Sequence, residues 1–380
     1  MRIRKYISIA LCLLLLAALC TGCGQKTADL PPEPEAAATA VPAETPAPRP
    51  TPTAVALTVV QPTAAPTAEP ATPAPTAEPV RKPYAFQPKV ASSYLREVFG
   101  DVMVETWFDL VDAVMAGETS FACPDDHTYN WVMGQFPDRC LPPLYEQIVP
   151  DAKDPDHPVQ DGVGHFSYVT SAAEVRSRID AFGELVEGIL NEVFRTDDTD
   201  FEKAFALYKY FYETYTYDYE AADRMYSVYV DYLSAYRLLT TGEGICCEIA
   251  PAYAYLLLQA GVDAGTMGGT AHDWAYIKLN GRNYHVDPTF AIGDAGALAY
   301  FLMNDEQRER EGFPREDHLI LSNYAQDHPH PDYAADDDTF RPLWEGFYGE
   351  LDRESHTLRY RVYLDQEEGY REASFDYAGY

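Results

Sequence analysis

A proline-rich segment confines any folded domain to the later part of this chain. Of the 29 prolines in 380 residues, 15 lie between Pro31 and Pro83. From Ala28 to Lys82 the sequence is mainly Ala, Pro, Thr and Glu. Such a composition cannot bury enough apolar surface to offset the entropy of ordering the backbone. We therefore predict a disordered linker over residues 23–82 and a folded body over residues 83–380.

The first 22 residues have the features of an export signal. Basic residues precede an apolar run from Ile7 to Leu19, which is shorter than the roughly 20 residues of a membrane-spanning helix. The run ends in Leu19-Cys20-Thr21-Gly22-Cys23, which resembles the bacterial lipobox. The resemblance implies a signal peptide over residues 1–22 and a lipidated Cys23 on the outer face of the cell membrane. Ordinary secretion is the alternative.

The charge of the body excludes one class of partner. Residues 83–380 hold 21 basic and 54 acidic residues, a formal net charge of -33. This is the wrong sign for neutralising phosphates, so we predict no nucleic-acid partner. The histidines of the early body and the acidic run Asp336–Asp338 lack the spacing of metal ligands, and we predict neither a metal nor a cofactor. Those histidines are His127, His157 and His165.

The N-terminal part of the folded body, residues 83–200, is predicted to be mainly helical. Apolar residues recur at helical spacing from Leu95 to Val114 and predict one amphipathic helix that ends at Gly117. Two capping boxes predict two further helices. They are Ser171 with Glu174, and Thr199 with Glu202.

A loop-rich stretch is expected between these helices, from Phe121 to Tyr168. It holds Cys123 and Cys140, and an exported chain permits a bridge between them. A disulfide and a pair of free buried thiols both remain open at this point.

The residues that bear chemistry lie between Gly242 and Phe290. Cys246 opens an apolar helical pattern that ends before Gly261. A thiol at a helix N-terminus meets unpaired backbone N–H groups and the positive end of the helix dipole, which favour the thiolate. Pro251 lies inside the pattern and predicts a kink behind the cysteine unless it falls in the first turn.

A β-hairpin follows this helix. His272 to Leu279 alternates like a strand and leads into Asn280-Gly281, a strong hairpin signal. The second strand ends at Asp287, before Pro288. The hairpin therefore brings His272 and Asp287 together at its open end. Cys, His and Asp in this order supply a nucleophile, a base and a residue that orients the base.

Three motifs carry a family resemblance. Gly244-Ile245-Cys246, His272-Asp273-Trp274 and Tyr284-His285-Val286-Asp287-Pro288-Thr289 resemble the core motifs of the bacterial transglutaminase-like superfamily. The resemblance implies an α+β fold with a papain/transglutaminase-like core, in which the catalytic helix packs on an antiparallel sheet. We expect this core over residues 201–323, after the helical region, and a partly β extension over residues 324–380.

The resemblance also implies the roles of residues. Cys246 matches the nucleophile, His272 the general base and acid, and Asp287 the residue that fixes the imidazole tautomer. Cys247, Glu248 and Ile249 depart from the residues that many relatives have after the nucleophile. Trp274, Tyr276 and His285 share the strand faces of the two catalytic residues and are candidates for the substrate groove.

The implied reaction is acyl transfer through a thioester, on a protein or peptide substrate at the cell surface. Hydrolysis of an amide or peptide is the expected outcome. Cross-linking to an amine, and a non-catalytic binding protein on the same fold, are the alternatives.

Overall fold

The computed structural model describes residues 84–225, 233–269, 271–294, 296–321, 333–364 and 369–380. The predicted signal peptide, the lipidation site at Cys23 and the linker lie outside this range. Within it, no helix combines the length and apolarity that crossing a bilayer requires.

The described residues form an α+β structure, as predicted. Its helices are α1 (Ser93–Phe99), α2 (Asp101–Ala116), α3 (Asp126–Gly134), α4 (Phe136–Cys140), α5 (Ala172–Val193), α6 (Asp200–Thr214), α7 (Tyr219–Met225), α8 (Ala235–Thr241), α9 (Cys246–Gln259), α10 (Pro288–Gly293) and α11 (Asp305–Arg310). Its strands are β1 (Ser120–Ala122), β2 (Ile148–Pro150), β3 (Val163–Tyr168), β4 (Thr216–Tyr217), β5 (Glu243–Gly244), β6 (Ala264–Gly269), β7 (His272–Leu279), β8 (Arg282–Val286), β9 (Leu319–Ile320), β10 (Gly346–Asp352), β11 (Thr357–Tyr363) and β12 (Tyr370–Asp376).

The prediction of one long N-terminal helix is wrong. Gly100 adopts φ 83° and ψ 165° between α1 and α2, which breaks the helix in two. This region of backbone space is open essentially to glycine alone, and the apolar periodicity runs across the break without recording it. Gly117 ends α2 at φ 76°, as predicted.

The stretch expected to be loop-rich contains regular structure. Strands β1, β3 and β2 form a small antiparallel sheet, with helices α3 and α4 in the connection. Cys123 and Cys140 are buried free thiols. Burial raises the pKa of Cys123 to about 11 and that of Cys140 to about 12. Of the two alternatives, the structure therefore has the free thiols.

Both predicted helix caps are present. The hydroxyl of Ser171 accepts a hydrogen bond from the N–H of Glu174, and α5 begins at the next residue. Thr199 and Glu202 form the full reciprocal box at the start of α6. The apolar faces of α5 and α6 enter one core, so the long helices are fixed by both their ends and their packing.

A four-stranded antiparallel sheet, with strand order β8-β7-β6-β9, carries the predicted hairpin. Asn280 and Gly281 have φ 49° and 76°, the two positive values that a type I′ turn requires. Leu279 pairs with Arg282 across the turn. The predicted hairpin is confirmed, and its open end lies at His272 and Val286.

Helix α9 packs on this sheet and on α6. Its buried residues include Ile249, Tyr253 and Leu257, and burial of each large apolar side chain stabilises the fold by about 1.5–3 kcal/mol. The helix ends before Gly261, whose φ is 83°, and it runs as one helix through Pro251. Because proline lacks an N–H, the carbonyl of Cys247 loses its usual partner four residues on.

Two apolar cores flank the sheet. One combines α5, α6 and α9 with the C-terminal meander β10-β11-β12. The other joins the N-terminal helices to the opposite face of β7 through Trp274 and Tyr276. Both faces of β7 are therefore covered.

Candidate active site

Cys246 is the first residue of α9 and is almost buried, with 8 % of its surface exposed. The preceding residue, Ile245, is the N-cap. The carboxylate of Glu248 reaches back and accepts a hydrogen bond from the N–H of Ile245, at 3.0 Å. Ile245 before Cys246 and Glu248 after it are therefore hydrogen-bonded to each other, and this contact fixes the turn that carries the thiol.

Glu248 is fully buried and paired. Arg237 donates to it in a bidentate contact, with Nη2–Oε2 2.7 Å and Nε–Oε1 2.8 Å. The same guanidinium contacts Asp218 at 3.0 Å. Glu248 departs from the motif of many relatives, and here it ties α8 to the turn that presents Cys246. A bidentate buried pair fixes geometry as well as charge.

His272, the first residue of β7, links the thiol to a carboxylate. Its Nε2 lies 2.7 Å from Oδ2 of Asp287, and the thiol of Cys246 is a neighbour close enough to help raise the pKa of the imidazole. The imidazole stacks on Phe290, with ring centroids 4.7 Å apart and planes 15° from parallel. The structure therefore brings together the three residues that sequence reasoning assigned to catalysis.

The charged forms of His272 and Asp287 stabilise each other. Burial lowers the pKa of His272, but the charge and hydrogen bond of Asp287, together with Cys246, outweigh it and raise this pKa to about 9. Burial raises the pKa of Asp287, but His272 and Arg308 outweigh it and hold it below its usual value. The arrangement favours an imidazolium beside an ionised Asp287 at neutral pH.

Asp287 acts on both the helix and the histidine, through different oxygens. Its Oδ1 accepts a hydrogen bond from the N–H of Phe290, at 3.1 Å, and caps α10. Its Oδ2 faces His272. The turn-forming interpretation of an Asp before Pro and the orienting interpretation therefore hold together.

The three groove candidates lie behind the site, not on its surface. Trp274, Tyr276 and His285 each have 0 % exposed surface. The indole N–H of Trp274 donates to Nδ1 of His285 at 2.9 Å, and Tyr276 donates to the carbonyl of Tyr333. Because they have no exposed area, these side chains cannot contact a bound substrate in this structure. They support the site by packing and hydrogen bonding.

His285, Asp305 and His318 place potential metal ligands within 4.8 Å of one another. The hydrogen bonds of His285 are incompatible with metal binding, however. Since Nδ1 of His285 accepts from Trp274, the proton of this neutral imidazole is on Nε2, which donates to Asp305 at 2.9 Å. A ligating nitrogen needs a free lone pair, and its partner nitrogen should donate. Trp274, His285 and Asp305 therefore form a directed hydrogen-bond chain, while Nε2 of His318 lies 3.0 Å from the carbonyl oxygen of Phe313.

Arg308 lies in the site but was not among the residues predicted from the sequence. Its side chain is fully buried, and Nη2 lies 3.0 Å from Oδ2 of Asp287. The polar run Asp305–Arg310 looks like an exposed helix, and nothing in its pattern signals a buried guanidinium. Aromatic residues shortly before and after the run, Phe301 and Phe313, are a weak signal at most.

Cys247 differs from its neighbour in its surroundings. Burial, followed by the charges of Cys246 and Asp273, raises the pKa of the Cys247 thiol well above its ordinary value. The thiol that contributes to the raised pKa of His272 is that of Cys246. These observations agree with the assignment of Cys246 as the reactive thiol.

Comparison with known proteins gives a family for this region. Residues 187–296 match the family model of the transglutaminase-like superfamily. The chain carries a transglutaminase-like core. The matched residues include Cys246, His272 and Asp287 but end before Arg308. A search of the curated proteins finds no match to the chain.

Proposed function

We propose that this protein is a cysteine enzyme that performs acyl transfer through a thioester. The observation that carries the proposal is the position of His272. One ring nitrogen lies 2.7 Å from the carboxylate of Asp287, and the thiol of Cys246 is a close neighbour that also raises the pKa of the imidazole. A transglutaminase-like core supports the same assignment.

In the proposed reaction, the thiolate of Cys246 attacks the carbonyl carbon of an amide. Electrons move to the carbonyl oxygen, and the backbone N–H of Cys246, in the first turn of α9, is a candidate donor to that oxygen. Protonated His272 then gives its proton to the leaving nitrogen as the C–N bond breaks, which leaves a thioester. Asp287 keeps the imidazole in the required orientation throughout.

The thioester is then resolved by an acceptor. We propose water, because it reaches any such site and because no amine-binding groove is evident in the sequence. Neutral His272 takes a proton from the water as it attacks, the C–S bond breaks, and the products are a carboxylic acid and the free thiol. A primary amine in place of water would give cross-linking.

We propose that the enzyme acts at the cell surface. The support is the export signal, the lipobox-like sequence at Cys23 and the linker of residues 23–82. In extended polyproline II form the linker would span on the order of 100 Å, so proteins or peptides near the membrane would be in reach. Membrane fractionation tests this: wild-type protein should sediment with membranes, and Cys23→Ala should be released or left unprocessed. Wild-type protein found mainly in the medium would refute the anchor.

The chemistry is tested with labelled casein and a fluorescent primary amine. Wild-type protein should release casein fragments without incorporating the amine. Cys246→Ala should lose this activity, while Cys247→Ala, the matched control, should retain it. Incorporation of the amine without fragments would favour cross-linking. Retained activity in Cys246→Ala would refute the proposal.

A further inference from the structure

Cys246, His272 and Asp287 form what we call the catalytic row. A buried cation lies next to Asp287, at one end of this row. The guanidinium of Arg308 has no exposed surface, and its Nη2 lies 3.0 Å from Oδ2 of Asp287, the oxygen that also faces His272. This ion pair lacks the alignment of a hydrogen bond, and neither Nε nor Nη1 of Arg308 has a hydrogen-bond partner among the described residues. The contact between Arg308 and Asp287 is therefore chiefly one of charge.

Aromatic rings hold the guanidinium in place. Its central carbon lies 4.1 Å from the ring centroid of Trp274 and 4.2 Å from that of Phe313. Trp274 is itself fixed by its hydrogen bond to His285. Cation–π contacts of this kind stabilise a desolvated cation without neutralising it. A guanidinium remains protonated in such a site, so the charge is permanent.

Such an arrangement needs a reason, because a buried ion pair with unsatisfied donors stabilises a fold poorly compared with apolar packing. We propose that Arg308 is a positioning residue: its permanent positive charge, held against buried Asp287, keeps Asp287 ionised and favours the thiolate of Cys246 beside protonated His272. The inference rests on the proposed role of Cys246 as the nucleophile.

Counting charges shows the direction of the effect. In the active state Cys246, His272, Asp287 and Arg308 carry alternating charges that sum to zero. Without Arg308 the same state has a net negative charge in a buried site, and a protonated thiol becomes favoured. Loss of a neighbouring positive charge also strengthens the hold of His272 on its proton. Both titrations should therefore move to higher pH.

The surrounding ionisable groups do not replace this charge. Burial lowers the pKa of His285 to about 4 and also lowers that of His318, so both rings are neutral near pH 7. The carboxyl of Glu311 has a raised pKa, again through burial. Tyr208 lies near Asp287, Tyr300 near Arg308 and Cys247 near Cys246, and none of these side chains is a cation.

The test measures the rate at which iodoacetamide alkylates Cys246 as a function of pH. It is done in a Cys247→Ser background, and it needs no substrate. Arg308→Met should move the midpoint to higher pH by about one unit, and Arg308→Lys, which keeps the charge, should move it less. The matched control is Arg353→Met, which breaks the Arg353–Asp198 ion pair (Nε–Oδ1 2.6 Å) away from the triad and should leave the midpoint unchanged.

An unshifted midpoint in folded Arg308→Met, or an equal shift in Arg353→Met, would overturn the inference. If Arg308→Met does not fold, Arg308→Gln takes its place. Loss of the fold in both neutral variants would assign Arg308 to the core and also overturn it. Failure of the casein assay with a shifted midpoint would count against the proposed reaction and leave this inference standing.

Discussion

Asp287→Asn tests the catalytic row most directly. The amide can keep its oxygen on the N–H of Phe290 and turn its NH2 group to His272 and Arg308, which strands a buried guanidinium at a cost of about 3–5 kcal/mol. It can also flip, which loses the cap of α10 at a cost of about 1 kcal/mol and still leaves the guanidinium without a counter-charge, because the amide is neutral. In either orientation we expect a folded protein with a melting temperature lower by about 10 °C.

The effect on chemistry should be far larger. In either orientation His272 loses the anion that raises its pKa to about 9, so the imidazolium that stabilises the thiolate is lost near pH 7. The matching change in serine-protease triads lowers turnover by about 10⁴-fold. The assay is turnover and alkylation of Cys246 at pH 7, with the melting temperature measured on the same samples.

Asp198→Asn is the matched control for this variant. Asp198 is a buried carboxylate paired with Arg353, as Asp287 is with Arg308. We expect Asp198→Asn to lower stability without changing the reactivity of Cys246. A folded Asp287→Asn protein with wild-type turnover would refute the orienting role of Asp287 and reduce the site to a cysteine and a histidine.

Three further predictions concern the same site. Iodoacetamide at neutral pH should label Cys246 much faster than Cys247, as read by fragmentation of the labelled peptide, and equal labelling would contradict the assignment. His272 binds its proton more tightly in the folded state, so its contribution to stability is full below about pH 6.5 and is lost as the pH rises through about 9. Urea titrations should show a larger fall in the free energy of unfolding over this pH range for the wild type than for His272→Gln. Equal falls in the two proteins would refute this prediction. Glu248→Gln should destabilise the fold by about 1.5–3 kcal/mol, because one buried oxygen that accepts a hydrogen bond from Arg237 becomes an NH2 group that cannot accept. Glu213→Gln, which alters an exposed pair, should cost under about 1 kcal/mol, and similar losses in the two variants would argue against a structural role for Glu248.

The cluster of Cys246, His272 and Asp287 could be predicted because local rules specify each part of it. An Asn-Gly turn fixes the register of the hairpin, and the register brings His272 and Asp287 to one end. A helix N-terminus placed after Gly244 then provides the thiol. These signals lie within a few residues of the groups that they position, so the sequence alone is sufficient to recognise them.

The remaining features depend on contacts between distant segments. Trp274 is buried because Phe313, His318 and Arg308 pack against it from a segment more than 30 residues along the chain, and no local pattern distinguishes this from an open groove. Arg308 is buried by Trp274 and Phe313 although its own helix is entirely polar. Gly100 shows a third kind of limit, since a single residue breaks a periodicity that is continuous on both sides of it.

The position of α11 has a consequence for how this chain can be divided into fragments. The region that matches the family model ends at residue 296, yet the guanidinium against Asp287 comes from residue 308. A fragment cut at that boundary would retain the thiol, the imidazole and the carboxylate but would leave the carboxylate without its cation. Transplanting the matched region into another scaffold would therefore transfer the catalytic groups without the charge that tunes them. The functional module of this chain extends at least as far as Arg308.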